Sequence, residues 1–234
     1  MKSIDTLVRD IYRLMDKTDG PAEGVDLEAE ADHFAAECKN IFMALTDPNG
    51  DRSGKLRLSA VGKPMRQQYM QYTGVSGEEL EGATYIKFFY GHLIEAMIVA
   101  LARTSGHTVE GQQKEVECGG VKGHLDGYID GVLVDVKSAS TKGFKKFKQN
   151  KLHEDDPFGY IGQLKAYANA EDQEQFGWVV MDKTTGQLCT LMYDVNDKEA
   201  PYAEAIDYSI EEHIKNVKDA MVAAEPPPKC YEDI

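Results

Sequence analysis

Apolar and polar positions alternate in two different periods along the chain. Apolar residues recur every three or four positions in several segments, which predicts helices at 3–17, 26–45, 83–104, 159–170 and 202–224. Short apolar or alternating runs between turn residues predict strands at 107–118, 121–129, 132–138, 176–181 and 188–195. The central elements therefore follow the order helix, three strands, helix, two strands, helix, which predicts a mixed α/β fold.

Turn residues mark the connections between these elements. The run DPNGDRSG at 47–54 separates the first two helices from the rest, and we expect an N-terminal helical arm over 1–54 and one domain over 55–234. Gly119-Gly120 and Asp130-Gly131 predict hairpin turns between the three central strands. Asp130 is therefore interpreted as a turn residue rather than a ligand.

Composition narrows the class of protein. Of 234 residues, 42% are hydrophobic and 28% charged, which is typical of a protein with one substantial core. We expect no apolar run to approach the length of a membrane span, and 1–20 has no secretory signal pattern, so we expect a cytoplasmic protein without a membrane partner. The four cysteines show no C-x-x-C spacing, which argues against a disulfide framework or a zinc site.

Candidate chemistry concentrates between Gly123 and Ser138. In the alternating run 132–137, Asp135 and Lys137 point to the same strand face, and the preceding strand of the hairpin is expected to deliver Asp126 beside them. Two adjacent carboxylates repel each other unless a cation lies between them, and carboxylate oxygens suit Mg²⁺ or Mn²⁺. The alternative for the D-x-K tripeptide alone is an exposed ion pair on a strand.

Two helices add further candidates. Glu95 lies in the apolar segment 83–104, where a buried carboxylate must be protonated, hydrogen-bonded or bound to a metal; the alternative is a partner arginine or backbone amide. Tyr160, Gln163 and Tyr167 share one face of the helix 159–170. An amide and a phenol on one face can bind phosphate oxygens and orient a lysine, whereas the alternative is that the tyrosines only pack.

The distribution of charge along the chain changes the interpretation of its net negative charge. A net charge of −14 argues against a nucleic-acid partner, but residues 137–151 hold six lysines and no acid. This lysine segment includes Lys142, Lys145 and Lys146, which are candidate phosphate contacts. The alternative is a solvated lysine-rich helix face.

Together these motifs resemble the PD-(D/E)xK nuclease superfamily, in its RecB-like and lambda-exonuclease-like branch. The matching residues are Gly91-x-x-x-Glu95, Asp126, Asp135-Val136-Lys137 and Gln163-x-x-x-Tyr167, within a resemblance that spans 59–195. The resemblance implies a restriction-endonuclease-like αβββαβ core with a central mixed sheet flanked by helices. Helical additions are then expected at both termini.

The resemblance also implies roles for individual residues. Glu95, Asp126, Asp135 and the Val136 carbonyl would bind one or two Mg²⁺ or Mn²⁺ ions, and Lys137, Asp126, Asp135 and Gln163 would form the catalytic group. No iron–sulfur cluster is expected, since the cysteines that cluster-binding relatives use have no counterparts here. The expected nucleic-acid contacts are Lys63, Arg66, His124, Lys142, Lys145, Lys146, Tyr160, Gln163 and Tyr167.

The resulting hypothesis is a metal-dependent DNA exonuclease of phage or bacterial recombination, replication or repair. The alternatives are a non-catalytic nucleic-acid-binding protein on the same fold and a site-specific endonuclease. DNA with free ends is the expected partner, and a single-strand-binding or annealing protein is a second candidate partner. The sequence leaves open the polarity of digestion, the strand preference, DNA versus RNA, the oligomeric state and whether the native chain continues past Ile234.

Overall fold

The computed structural model describes residues 2–47, 56–75 and 80–229. Within these ranges the α-helices are α1 (Leu7–Met15), α2 (Leu27–Thr46), α3 (Met65–Tyr72), α4 (Gly82–Thr104), α5 (Thr141–Lys148), α6 (Tyr160–Ala170), α7 (Ala203–Ile206) and α8 (Ile210–Ala223). The strands are β1 (Val109–Glu110), β2 (Glu115–Cys118), β3 (Val121–His124), β4 (Gly127–Ile129), β5 (Val132–Ala139), β6 (Gln175–Asp182) and β7 (Leu188–Asp194).

A mixed five-stranded sheet forms the centre of the described chain, in the order β1-β4-β5-β6-β7. Strands β5 and β6 pair in parallel, and the other neighbours pair antiparallel. Strands β2 and β3 form a separate hairpin. The parallel pairing requires a crossover, which α5 and α6 supply between β5 and β6. The predicted α/β class with a mixed sheet is confirmed.

Helices cover both faces of the sheet. On one face, Leu133 of β5 and Trp178 of β6 lie in a core shared with α5, α6 and α8. On the other face, Val134 and Val136 lie in a second core with α1 and α4. Because side chains alternate along a strand, Asp135 and Lys137 project on the same face as Leu133, the face that α6 covers.

Two of the predicted central strands are each divided in the structure. The segment 107–118 forms β1 and β2, separated where Gly111 and Gln113 take positive φ values of 65° and 54°. The segment 121–129 forms β3 and β4, and Asp126 lies in the bend between them rather than on a strand. The expectation that Asp126 comes from a strand is therefore wrong. The positive φ values redirect the chain, so that one long hairpin becomes two pairs in different sheets.

The predicted C-terminal helix is also divided, into α7 and α8. Asp207 leaves helical geometry with φ −87° and ψ 64°. Ser209 then caps α8, and its hydroxyl accepts a hydrogen bond from the Glu212 amide at 3.1 Å. A serine that can satisfy a free backbone amide starts a new helix here, although the apolar period continues across it.

Helix α4 is more apolar over its length, and more exposed to solvent, than the sequence pattern predicts. It is 23 residues long, and its mean hydropathy of 1.4 gives it the length and composition of a membrane span, so the expectation that no segment approaches one is wrong. Only 22% of an 18-residue apolar window of this helix is buried, and Ile86 and Phe88 near the start of the helix are 68% and 47% exposed. A helix that packs on both a sheet and another helix has a similar composition. Here α4 packs on β5 and on α2.

The N-terminal helices pack on this framework in different ways. Ile4, Leu7 and Ile11 are buried in the core beneath α4, so α1 is part of the second core. Helix α2 buries no residue fully and lies along α4. The predicted domain boundary at 54/55 falls outside the described residues and stays a prediction, as does the turn at 48–54.

Candidate active site

A cavity of about 770 Å³ opens above the end of β5, between α4 and α6. The sequence-predicted residues that line it are Glu95, His124, Asp126, Asp135, Val136, Lys137, Tyr160, Gln163 and Tyr167. Helix α4, the bend before β4, strand β5 and helix α6 each contribute to this set. The fold thus brings together candidates that are more than 70 positions apart in the sequence.

Asp135, Lys137 and Gln163 form a tight cluster on the cavity floor. The Lys137 Nζ donates to Asp135 Oδ1 at 2.8 Å and lies 2.7 Å from Asp135 Oδ2. The Gln163 Nε2 donates to the same Oδ1 at 3.0 Å, and its Oε1 accepts from Lys137 Nζ at 3.5 Å. Gln163 therefore holds the carboxylate and the ammonium in a fixed arrangement, as expected from its place on the inner face of α6.

Asp126 is oriented by the backbone of β5. Its Oδ2 accepts a hydrogen bond from the Val136 amide at 2.7 Å. Because the N–H and C=O of one strand residue point to the same edge, the Val136 carbonyl is turned toward Asp126 as well. The bend between β3 and β4 therefore replaces the predicted strand as the support of this carboxylate.

Glu95 reaches the cavity from α4 and is less buried than predicted. Its side chain is 20% exposed, with Oε2 3.7 Å from His92 Nδ1. Its Oε1 accepts from Gln113 Nε2 at 3.2 Å. The carboxylate thus has polar neighbours and partial contact with solvent, so it is not the unpaired buried group that the apolar pattern indicated.

The carboxylates and the ammonium alter one another's protonation. Burial, followed by the Asp135 and Glu95 carboxylates, raises the pKa of Asp126 well above its usual range. Burial also raises the pKa of Asp135, against the opposing effect of Lys137. For Lys137, burial lowers the pKa, but Asp135 and Asp126 outweigh burial and raise the pKa above its ordinary value. The site holds more negative charge than one ammonium offsets.

The carboxylates of the cavity are the kind of ligand that binds a hard divalent cation, although they are not arranged as a complete metal site. Among the described residues, no group of three or more His, Cys, Asp or Glu side chains is arranged to hold a metal ion. Asp135 Oδ2 is nevertheless buried and has no hydrogen-bond partner among the described residues, although the Lys137 ammonium lies 2.7 Å from it. A buried carboxylate oxygen in this state, next to Asp126, is chemically suited to Mg²⁺ or Mn²⁺.

The two tyrosines of α6 occupy different positions. Tyr160 is half-buried, and the Lys137 Nζ lies 5.1 Å from the centre of its ring. Tyr167 is only 2% exposed, and burial, followed by Asp135 and Asp126, raises its pKa to about 12. Tyr160 can therefore contact a ligand in the cavity, whereas Tyr167 lines the cavity but is almost fully buried.

The predicted phosphate contacts are only partly at this cavity. His124 is exposed at its edge, 4.0 Å from a Glu115 oxygen. Lys63 and Arg66 do not line it, and Arg66 instead donates to the Pro227 carbonyl at 2.7 Å. Helix α3, which carries Arg66, packs on α8 and so lies toward the C-terminal residues, which the sequence pattern could not indicate.

The lysines of α5 also lie away from the cavity floor. Lys142 and Lys145 are exposed, and Lys146 forms an ion pair with Asp155. None of the three lines the 770 Å³ cavity. Their roles in binding nucleic acid stay predictions.

Other basic residues surround the cavity that sequence reasoning missed. Arg57, Lys87 and Lys122, which we call the cavity rim, come from three separate segments and line its walls together with Phe88. Lys122 is paired with Glu115 at 2.7 Å, whereas the exposed Lys87 forms no ion pair with another described residue. No local pattern marks these residues, because only the fold brings them to one opening.

Comparison with known proteins adds the following observations. No family model matches the chain. No curated protein matches it either. Among solved structures, an alkaline exonuclease from Laribacter hongkongensis is similar with a TM-score of 0.48 and 15% identity, over 74% of this chain and 92% of that chain. The same enzyme in complex with dAMP is similar with a TM-score of 0.48 and 16% identity, over the same shares of the two chains.

A phage-related exonuclease from Haemophilus somnus 129PT is similar with a TM-score of 0.45 and 17% identity, over 80% of this chain and 95% of that chain. Exonucleases are thus among the solved structures that are similar to this chain.

Proposed function

We propose that the protein is a divalent-metal-dependent deoxyribonuclease that removes nucleotides from DNA ends. The observation that carries the proposal is the cluster of Asp135, Lys137 and Gln163 beside Asp126. The donors and acceptors of this cluster are 2.7–3.5 Å apart. The cluster lies on the floor of a cavity with basic residues at its rim. Carboxylates and an ammonium in one cleft are suited to phosphodiester hydrolysis.

Each polar group has a distinct role in this proposal. A Mg²⁺ or Mn²⁺ ion bound by Asp126, Asp135, Glu95 and the Val136 carbonyl would supply the activation of water and the neutralisation of phosphate charge. Asp135 and Asp126 provide the negative charge that retains such an ion. Gln163 keeps Lys137 next to Asp135, so the ammonium is already oriented when substrate enters.

Lys137 is proposed to stabilise charge on the phosphate rather than to remove a proton. The neighbouring carboxylates raise its pKa above the ordinary lysine value in the metal-free protein, so it carries a positive charge at neutral pH. A fixed ammonium in a cleft stabilises negative charge that develops in the transition state. The pH at which Lys137 would act as a base lies far above neutrality without the cation.

The first experiment removes the ammonium or one carboxylate. We expect Lys137→Met and Asp126→Asn to lower kcat for Mg²⁺- or Mn²⁺-dependent nucleotide release from linear DNA by about 10²- to 10³-fold. Lys215→Met and Asp219→Asn are matched controls, because both residues are exposed and pair with each other on α8. Wild-type rates in either site variant would reject the assignment.

The second experiment separates the proposed activity from its alternatives. An exonuclease degrades linear duplex or single-stranded DNA and leaves closed circular DNA intact, whereas an endonuclease cuts both. A non-catalytic binding protein cuts neither and, by calorimetry, binds no Mn²⁺. Substrates blocked at one end at a time then give the polarity of digestion.

The biological setting is proposed on the resemblance of the motifs alone. A DNA exonuclease of this kind would act in the cytoplasm in recombination, replication or repair. A single-strand-binding or annealing protein would take the strand that it leaves. Co-purification with such a protein in the presence of gapped DNA tests the partnership.

A further inference from the structure

Phe158 is an exposed aromatic residue beside the candidate active site. It lies just before α6, and 62% of its surface is accessible to solvent. Its ring stacks on that of Tyr160, with centroids 5.4 Å apart and an interplanar angle of 28°. Tyr160 in turn lines the active-site cavity and lies under the Lys137 ammonium. The Lys137 ammonium, the Tyr160 ring and the Phe158 ring therefore form a row that leads outward from the cavity floor.

A second cavity continues from this row. It has a volume of about 250 Å³, and Phe158 lines it together with Phe147 and Pro157. Ser138 and Tyr160 line both this cavity and the active-site cavity. The two spaces therefore lie side by side along Ser138 and Tyr160. The smaller space has room for a planar ring but not for a duplex.

The charges around the second cavity do not exclude a nucleotide. Asp156 accepts hydrogen bonds from the Tyr160 and Ile161 amides at 3.0 and 2.8 Å, so its carboxylate is occupied by the backbone amides at the start of α6. Asp155 is paired with Lys146. Lys183 lines the same cavity, and no ion pair joins it to another residue in the described ranges. The free cation thus favours a phosphate at this opening.

We infer that Phe158 is a stacking platform for one unpaired nucleobase of the strand whose phosphate lies at Asp135 and Lys137. This inference rests on the proposed function and identifies a substrate-positioning residue for it. Every nucleobase has a π-face, so stacking on Phe158 fixes the strand without reading its sequence. Because the platform accepts a single ring, it selects a strand that is unpaired at this position.

The test measures binding of a single-stranded oligonucleotide in a chelator, where no strand is cut. We expect Phe158→Ala to raise Kd about tenfold, the range of base–aromatic stacking. Phe158→Leu should bind as weakly, because leucine keeps an apolar contact with Tyr160 but has no π-face. Phe158→Trp should restore binding. Phe42→Ala on α2 is the matched control, since Phe42 is 53% exposed, and it should bind like the wild type.

Oligonucleotides with a single abasic position locate the stacked base. For the wild type, one abasic position should weaken binding about tenfold, and Phe158→Ala should bind intact and abasic strands equally. Wild-type binding by Phe158→Ala, or equal sensitivity of both proteins to each abasic position, would overturn the inference, and so would a wild type that binds no oligonucleotide. Failure of the proposed function gives a different result, namely normal stacking without any nucleotide release on adding Mg²⁺ or Mn²⁺.

Discussion

At the scale of single residues, Gly123 sets how closely the β2–β3 hairpin approaches α6. A Cβ atom at this position would lie 2.8 Å from Leu58 Cβ and 2.8 Å from Tyr167 Cε1. Both neighbours are buried, so neither can move without disturbing the core. The missing side chain of Gly123 therefore lets the hairpin pack directly on Tyr167 of α6, the helix that also carries Gln163.

We predict that Gly123→Ala lowers the free energy of unfolding by about 1–3 kcal/mol, the usual cost of overpacking a core. The matched control is Gly91→Ala in the interior of α4, where a new Cβ would lie 3.7 Å from Ser138 Oγ, an ordinary van der Waals distance. There alanine should raise stability by about 0.5–1 kcal/mol, since glycine disfavours a helix interior. Urea denaturation measures both changes, and equal signs would contradict the packing argument.

The sequence was most informative about neighbours within one element. Alternation along β5 placed Asp135 and Lys137 on one face, and the helical period placed Gln163 toward the site, as the structure confirms. The position of Asp126 was predicted less well, because the bend that carries it lies next to Gly127, which takes a positive φ of 143°. Lys87 and Phe158 were missed as site residues, since tertiary folding alone brings their segments to the two cavities.

At the scale of elements, α1 is fastened to the rest of the fold through Asp10. This carboxylate accepts hydrogen bonds from Lys2 at 2.8 Å and Arg9 at 2.9 Å. Its Oδ2 also lies 3.4 Å from Nε2 of the fully buried His107, whose Nδ1 is 2.6 Å from Asp130 Oδ2. Helix α1, the end of α4 and the β4–β5 turn therefore meet at one polar cluster beneath the sheet.

Asp10→Ala should destabilise the protein by about 1–3 kcal/mol at pH 7, because it removes a buried carboxylate that accepts hydrogen bonds from Lys2 and Arg9 and faces the buried His107. Burial raises the pKa of Asp10, but the hydrogen bonds from Lys2 and Arg9 outweigh burial and hold it well below its usual range. A lowered folded-state pKa gives stability above the unfolded-state pKa, near 4, that is lost as the pH falls further.

The difference between wild type and Asp10→Ala should therefore be full at pH 7 and shrink steadily below about pH 4. Chemical denaturation at a series of pH values measures it. Asp32→Ala on the exposed side of α2 serves as the control and should change stability by less than about 0.5 kcal/mol at each pH. A difference that grows on acidification would contradict the assigned role of Asp10.

At the scale of the whole molecule, charge is divided between an acidic body and a basic opening. The chain carries a net charge of −14, yet Arg57, Lys87 and Lys122 surround the cavity. If the protein binds DNA as proposed, the acidic body repels DNA that approaches elsewhere, and encounters are directed to the cavity rim. Under the proposed function, net charge alone is therefore a misleading indication of the partner.

Lys87→Ala should weaken DNA binding at low salt and reduce the slope of log Kd against log salt concentration by about 0.7–0.9, the value for one lost phosphate contact. Fluorescence anisotropy at four or five salt concentrations measures the slope. Lys215→Ala is the control, because that lysine is 74% exposed and lies on α8. Parallel lines for wild type and Lys87→Ala would show that Lys87 contacts no phosphate.

Lys165 lies on α6, between Gln163 and Tyr167, and is only 7% exposed. Its ammonium donates to the carbonyls of Ile206 and Tyr208, beyond the last strand of the sheet. A shortened protein ending at Val195 would retain the whole sheet and the cluster of Asp135, Lys137 and Gln163, but it would lack both carbonyl acceptors of this ammonium and the two helices that pack on α6. The two terminal helices thus support the helix that carries Gln163 and Tyr160, and shortened versions of the protein must keep them.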